Sequence, residues 1–341
     1  MTSKDTHVLF DYCVSNPPYQ MELNNGYNNA TVNIFHRFYA YGLSCCNDVR
    51  MIFPGGRWMQ QAHRGREAAD IIFPTVDSIR WYPHGNDSGV TRVFPGVYIP
   101  DGVVVVSGCK NQNNKIFLLN GIWFPYIDNN STVLPLTSTG VSIMRKLYNR
   151  YDHYLIDKKQ STTVFGLRSF FVERNPGKVA DTQTDYYNTK AWLTDDNKGT
   201  RKRVRKYFIN SGLIDWDKKN ITKIYSKYKV CAVKEAGAYS DSATYRVVGN
   251  NTVIGESWYI FGLFNTEQEA INYKKYLDTK TVRKLLSESK GGKMKTWGHF
   301  VPDLEDYTSR NPHIDWDKPL DPQLYKLFNL TNEEINTIEN S

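Results

Sequence analysis
The chain has 341 residues, 40% of them hydrophobic and 14% aromatic, with 43 Lys and Arg against 35 Asp and Glu for a net charge of +8. That supports one large globular domain or two ordinary ones, and the basic balance favours a polyanionic partner. No apolar run reaches the ~20 residues of a membrane-spanning helix, and Met1 to Thr6 lacks the basic and apolar parts of a secretory signal, so a cytoplasmic protein with no membrane contact is expected.

Along the chain, His7 to Ser15 reads as a short buried strand whose apolar members are Val8, Leu9, Phe10 and Val14, stopped by Asn16-Pro17-Pro18. After an Asn-rich polar stretch, Thr31 to Cys46 carries Ile34, Phe38, Tyr41 and Leu43 at helical spacing, and Val49 to Phe53 is a second strand ended by Pro54-Gly55-Gly56. Strand, helix, strand predicts a parallel crossover unit. A helix around Met59 to Asp70, a strand near Ile79 and the β-branched run Val103 to Val106 continue an α/β pattern.

Near Asn129 the texture changes to short strands rich in Tyr, Thr and Asn, which sets an expected boundary between a portion 1–128 and a portion 129–341 of α+β type. Strands are expected at Lys229 to Lys234, Tyr245 to Val248 and Trp258 to Phe264. Thr266 with Glu269 forms a capping box for one helix carrying Ala270, Tyr273, Leu277, Leu285 and Leu286, and Thr331 with Glu334 forms a second box for a short closing helix.

The chemistry-bearing motif is Asn16-Pro17-Pro18-Tyr19 at the carboxyl end of a strand. Its form, Asn/Asp/Ser-Pro-Pro-aromatic, is that of enzymes that methylate exocyclic or amide nitrogens. Such a nitrogen is a weak nucleophile because its lone pair is delocalised, so a site that accepts hydrogen bonds from both of its N–H groups holds it for attack on a sulfonium methyl. Asn16 can give a side-chain oxygen and the Pro17 region a carbonyl, while the prolines stiffen the turn and Tyr19 can stack on an extruded base. No metal is required. A rigid turn with Tyr19 packed inside is the bland alternative.

Taken with their order, these segments make the chain similar to the Eco57I-like class of adenine-specific DNA methyltransferases of bacterial restriction-modification systems. Val14-Ser-Asn-Pro-Pro-Tyr-Gln20 matches the catalytic motif, and Met51-Ile-Phe-Pro-Gly-Gly-Arg-Trp58 resembles the following strand and turn. Val93 to Val103, Phe165-Gly-Leu-Arg168, Glu269 to Lys280, Ile314-Asp-Trp-Asp317 and Gln323-Leu-Tyr325 through Glu339 resemble later blocks in family order. The resemblance implies a partial Rossmann-like methyltransferase sheet, the catalytic half, followed by an α+β target-recognition domain with a helical tail. It implies a site-specific adenine-N6 DNA methyltransferase acting on double-stranded DNA with S-adenosyl-L-methionine as donor.

One departure is large. Family members bind the donor through a glycine turn after an earlier strand, and only about ten residues precede the catalytic strand here. Gly55-Gly56 and Gly291-Gly292 lack the strand, tight turn and helix that such a site needs, so no donor site is found in this chain. Without neighbouring donor-binding strands the catalytic strand would keep an unpaired apolar edge. A second subunit carrying those strands, a truncated relic, or a DNA-binding protein without chemistry are the competing explanations.

For DNA contacts, the basic run Arg201, Lys202, Arg203, Arg205 and Lys206 is the strongest candidate, with a solvated loop as its alternative, and Arg168 could meet a base, a phosphate or a structural carboxylate. The leading reading is a methyltransferase or its catalytic-loop and recognition subunit. A non-catalytic DNA-binding specificity or decoy protein is the first rival, and a protein-glutamine methyltransferase, which the long aromatic and basic region disfavours, is the second. Five cysteines without a C-x-x-C pair indicate neither a disulfide framework nor a zinc knuckle, and seven scattered histidines give no metal-ligand spacing.

Overall fold
The structure, a computed structural model, describes residues 10–24, 29–55, 58–59, 65–82, 102–109, 116–119, 122–125, 135, 137–147, 150–158, 164–165, 179–180, 189–195, 204–210, 220–233, 244–255, 258–288 and 297–341. For 23–24, 29–30, 122–125, 179–180, 189–195, 204–210 and 233 it describes the backbone alone. Two compact units divide the chain, one of residues 1–150 with 288–299 and one of 151–287 with 300–341.

In the first unit, β1 (Phe10–Ser15) is followed by a hairpin of β2 (Gln20–Asn24) and β3 (Asn29–Asn33), then α1 (Phe35–Cys45) and β4 (Cys46–Pro54). Next come α2 (Arg66–Ile72), β5 (Val76–Tyr82), β6 (Val103–Cys109), β7 (Ile116–Leu119), β8 (Ile122–Pro125) and α3 (Ser138–Leu147). Six of the strands form one mixed sheet in the order β1-β4-β6-β5-β7-β8. The expected parallel crossover is present: β1 and β4 run parallel on either side of α1 in sequence, with Cys13 beside Val49 and Ser15 beside Met51. Beyond it the sheet is mainly antiparallel, at β4–β6, β6–β5 and β7–β8, with β5–β7 parallel.

One face of this sheet is dry. Val49, Met51 and Phe53 lie beside Gly108, Val106 and Val104, followed by Ile79, Trp81, Phe117 and Leu119, and all are buried. α1 covers it through Phe35, Tyr39 and Gly42: the Phe35 and Phe53 rings are 4.9 Å apart, and a Cβ on Gly42 would meet Met51 and Val49 at 3.0 and 3.2 Å. Spacing of four and then three residues puts those positions on one stripe of the helix. The stripe expected from sequence was the other one, and this is corrected: Phe38 and Tyr41 are exposed, because α1 is apolar on two flanks and only one meets the sheet. The helix also starts later, since 31–33 belong to β3.

A second correction concerns β1. Expected as buried but with an unpaired apolar edge, it has that edge, being the last strand on its side of the sheet among the described residues, and Phe10, Tyr12 and Val14 are 62%, 70% and 80% exposed rather than buried. Residues 7–9 of the expected strand lie outside the described residues. The helix expected around Met59 to Asp70 is observed only as Arg66–Ile72, with 60–64 outside the described residues.

α3 begins on a buried carboxylate. Thr137 donates its N–H and hydroxyl to Glu288 at 2.8 and 2.6 Å, and its hydroxyl oxygen accepts the Gly140 N–H at 3.0 Å. Negative charge at a helix start is favourable, and here it fastens the returning segment to α3. A Cβ on Gly140 would lie 2.3 Å from that carboxylate.

The second unit contains β9 (Val179–Ala180), β10 (Thr189–Asp195), β11 (Val204–Asn210), α4 (Ile221–Tyr225), β12 (Tyr228–Val233), β13 (Arg246–Val248), β14 (Thr252–Ile254) and β15 (Trp258–Phe264). They make two small sheets, β14-β10-β11-β9 and β13-β12-β15. Both capping boxes form as expected, opening α5 (Glu267–Leu277) at Thr266 and the closing helix Asn332–Glu339 at Thr331. The single helix expected through Leu286 is instead two, α5 and α6 (Lys280–Ser287). The break falls where the Thr279 hydroxyl accepts the Val282 N–H and so caps a new helix, while Asp278 takes Lys274 and Arg283. α7 (Leu320–Leu327) and α8 (the closing helix) complete the unit.

Its interior joins an apolar cluster of Ile221, Ile224, Val248, Val253, Ile254 and Ile260 to a polar-aromatic part. Tyr273 donates to the Phe261 carbonyl, Tyr276 to Pro302 and Tyr307 to Asp303, which also pairs with Lys158 at 2.8 Å. Lys229 is fully buried, donating to the Tyr225 and Lys227 carbonyls at 3.1 and 2.7 Å, so it closes the end of α4. Burial pushes its ammonium down to about 8 and the nearby Cys231 thiol up to about 12.

Two stability tests follow from these contacts. Gly140→Ala should cost about 1–3 kcal/mol in urea unfolding, and much less in a Glu288→Ala background, where the clash is gone. Between pH 8 and 10.5 the unfolded Lys229 holds a proton that the folded one has lost, so stability rises with pH across that window. The difference between wild type and Lys229→Met should shift by up to about 3 kcal/mol over it, and a pH-independent difference would show that Lys229 titrates normally.

Candidate active site
The loop Asn16 to Tyr19 leaves the carboxyl end of β1, at the edge of the sheet. Asn16 and Pro18 are exposed, Pro17 is buried and Tyr19 is half-buried. Pro17 therefore anchors the turn while its neighbours face outward. The far end is tied to the helix that follows: the Tyr19 carbonyl accepts the Ile34 N–H at 3.0 Å, one residue before α1. β2 and β3 form the hairpin between those two points, pairing Gln20 with Asn33. This hairpin was not foreseen, although Met21, Leu23, Ala30 and Val32 alternate with polar residues along its two strands; its ends are what hold the loop against α1.

Partial burial raises the Tyr19 phenol above its ordinary value, so it stays a neutral ring with a hydroxyl donor at physiological pH. An exposed carboxamide beside a half-exposed aromatic ring can accept an amine's protons and offer a face for stacking. Behind the loop, α1 is braced on α2. His36 Nε2 lies 3.1 Å and Arg37 3.2 Å from the same Glu67 carboxylate oxygen, and the nearby His36, then the Arg37 guanidinium that donates to it, hold Glu67 below the usual carboxylate range.

The described residues do not fit a methyl-donor site. Such a site needs a strand, a glycine turn with free N–H groups and a helix. At the end of β4 the Gly55 N–H is already bonded to the Gly102 carbonyl at 2.8 Å, and Gly56, Gly291 and Gly292 lie outside the described residues.

Of the expected DNA contacts, Arg168, Arg201, Lys202 and Arg203 lie outside the described residues. Arg205 and Lys206 are described in backbone only, in β11 opposite Thr194 and Leu193 of β10. A cavity of about 550 Å³ occurs elsewhere, in the second unit, lined by Gln268, Asn272, Asp315, Trp316, Asp317 and Gln323 among others. Its amides are largely spent on the protein itself: Gln323 bonds Asp315 through both ends, and Asn272 donates to the Tyr307 carbonyl. Among the described residues no cluster of His, Cys, Asp and Glu could hold a metal, all five cysteines are free, and no helix is long and apolar enough to cross a membrane.

No known family matches the sequence, and no curated protein does. Among solved structures, the chain is similar to the type IIL restriction-modification enzyme MmeI in complex with DNA, with 9% identity over 77% of this chain and 42% of that one at a TM-score of 0.29. It is also similar to the type IIG restriction endonuclease BpuSI, with 11% identity over 92% of this chain and 48% of that one at a TM-score of 0.31. The chain spans less than half the length of either enzyme. At these scores the likeness carries no argument about fold or activity, and the functional reading rests on the loop.

Proposed function
We propose that this chain is the catalytic-loop and target-recognition part of a site-specific adenine-N6 DNA methyltransferase of a restriction-modification system. The observation that carries the reading is the loop itself: an Asn-Pro-Pro-Tyr turn at the carboxyl end of a parallel strand, with Asn16 outward and the Tyr19 ring partly open. In this role the Asn16 side-chain oxygen and the Pro17 carbonyl accept the two N–H groups of an adenine amine, which favours positive charge developing on that nitrogen. Tyr19 stacks on the base once it leaves the duplex. Pro17 and Pro18 hold these groups in place without reorganisation.

The 1–128 portion then serves as the catalytic half of a Rossmann-like methyltransferase sheet and the 129–341 portion as the recognition domain, with Arg168, Arg201, Lys202, Arg203, Arg205 and Lys206 on phosphates or bases of double-stranded DNA. S-adenosyl-L-methionine supplies the methyl group from a site outside the described residues, in a second subunit with donor-binding strands. The lack of fit to a donor also supports a second reading, a non-catalytic DNA-binding specificity or decoy protein.

Methyl transfer separates the two. With the assembled complex, Asn16→Ala should abolish methylation of duplex DNA while leaving duplex affinity within about threefold; full activity in the variant would remove the loop from the chemistry. Calorimetry that finds no donor uptake, alone or with proteins encoded beside the chain, would leave the non-catalytic reading standing. Neutralising Arg201, Arg203 and Arg205 together should weaken DNA binding and reduce the slope of log affinity against log salt by up to about 0.9 per lost phosphate contact. An unchanged slope would take the basic run out of the interface.

A further inference from the structure
The turn that carries Tyr19 is tied to the first turn of α1. The Tyr19 carbonyl accepts the Ile34 N–H, and the Ile34 carbonyl accepts the Arg37 N–H, both at 3.0 Å. α1 starts at Ile34 without a side-chain cap, so nothing in its own first turn fixes its start. It is held from α2 instead, by Glu67, one carboxylate oxygen of which lies 3.1 Å from His36 Nε2 and 3.2 Å from the Arg37 guanidinium. Glu67 in turn stands on a rigid base. Gly65, where α2 begins, packs so closely on Trp58 that a Cβ there would lie 2.5 Å from the Trp58 main chain, and the Trp58 indole donates at 2.8 Å to the carbonyl of Pro54, the last residue of β4. The carboxyl ends of the parallel strands β1 and β4 are therefore joined by a continuous path: Pro54, Trp58, Gly65, Glu67, the first turn of α1 and Tyr19.

We infer that Glu67 is a positioning residue: by engaging His36 and Arg37 it sets where the first turn of α1 lies, and with it the main chain and ring of Tyr19. The Arg37 arm alone would hold little, since both of its side chains are more than half exposed and such pairs are weak. The His36 arm is different. Its imidazole is 1% exposed, and neither ring nitrogen has a well-formed hydrogen bond among the described residues, so the Glu67 carboxylate is the charge set against a buried polar ring. Removing it frees that ring to move, and His36 lies two residues from Ile34. The sheet core does not depend on Glu67, which is 56% exposed; the placement of one turn does. A misplacement of about 1 Å in a group that must meet the reacting base costs up to about a hundredfold in rate. The link from Glu67 to Tyr19 rests on geometry alone; that it serves methyl transfer rests on the function proposed above.

The test compares Glu67→Ala, Glu67→Gln and Asp70→Asn in the full chain. Amide exchange is read at Ile34, whose N–H is bonded to Tyr19, and at Val104 to Val106 in β6 as the measure of global opening. Glu67→Ala should speed exchange at Ile34 by about tenfold or more with β6 unchanged. Glu67→Gln keeps an oxygen that can accept from both partners and should stay within about threefold of the parent chain. Asp70→Asn, which removes the carboxylate that Arg66 meets at 3.7 Å on the same helix, should change neither reading. In the assembled complex Glu67→Ala should lower kcat for methylation of duplex DNA by about tenfold and leave KM for the duplex within about threefold, because stacking on Tyr19 begins only after the base leaves the duplex. Exchange at Ile34 that ignores Glu67→Ala, that rises only as far as β6 exchange does, or that rises equally in Asp70→Asn would overturn the proposal. So would an unchanged kcat, or a loss confined to KM. A parent complex that methylates nothing, with exchange at Ile34 still governed by Glu67, keeps the link and removes the methyltransferase reading.

Discussion
The parallel pairing of β1 with β4 is the constraint from which the rest of the first unit follows. A parallel pair needs a crossover, and α1 with the β2–β3 hairpin ahead of it is that crossover. The register sets Cys13 beside Val49 and Ser15 beside Met51, which turns Asp11, Cys13 and Ser15 toward the helix side and Phe10, Tyr12 and Val14 the other way. The same pairing brings the end of β1, and therefore Asn16 to Tyr19, level with the start of α1, where one main-chain bond from Ile34 secures the turn. Loop position and exposed edge are thus two results of one strand pairing.

Edge strands in soluble proteins usually carry charge, proline or a bulge that discourages pairing. β1 has a single charge, Asp11, and three large apolar residues on one face. Each such side chain contributes about 1.5–3 kcal/mol when buried and little when wet, so the strand is built for an interior setting. The candidate loop belongs to this strand. Whatever lies against β1 therefore also borders Asn16 and Tyr19, and in an α/β sheet the crevice outside the carboxyl ends of parallel strands is where ligands sit.

The second unit is organised differently. Its core is closed by tyrosines whose hydroxyls reach carbonyls at Phe261 and Pro302, by Asp303 between Tyr307 and Lys158, and by a buried lysine at the end of α4. These groups must be satisfied in one arrangement, because leaving any of them unpaired inside costs about 1–3 kcal/mol. Such a core resists rearrangement.

What the amino-acid sequence determined alone is what depends on a few neighbouring residues. Thr266 with Glu269 and Thr331 with Glu334 close their capping boxes through bonds three residues apart. Asn16-Pro17-Pro18-Tyr19 makes a stiff turn through proline geometry, and a run of aromatic residues with Ile260 and Leu263 marks Trp258–Phe264 as a strand. Tertiary structure decided everything that required a choice between equal local options. α1 has two apolar stripes, and only contact with Phe53, Met51 and Val49 selects the one through Phe35, Tyr39 and Gly42. Thr279 could continue a helix or cap a new one, and it caps in a structure where Asp321 also accepts the Thr281 N–H and hydroxyl at the start of α6. The six residues of β1 read as interior because they are apolar; its free edge was expected only from the strands that the order of segments lacks, and the exposure of Phe10, Tyr12 and Val14 is a property of its neighbours that no local pattern encodes.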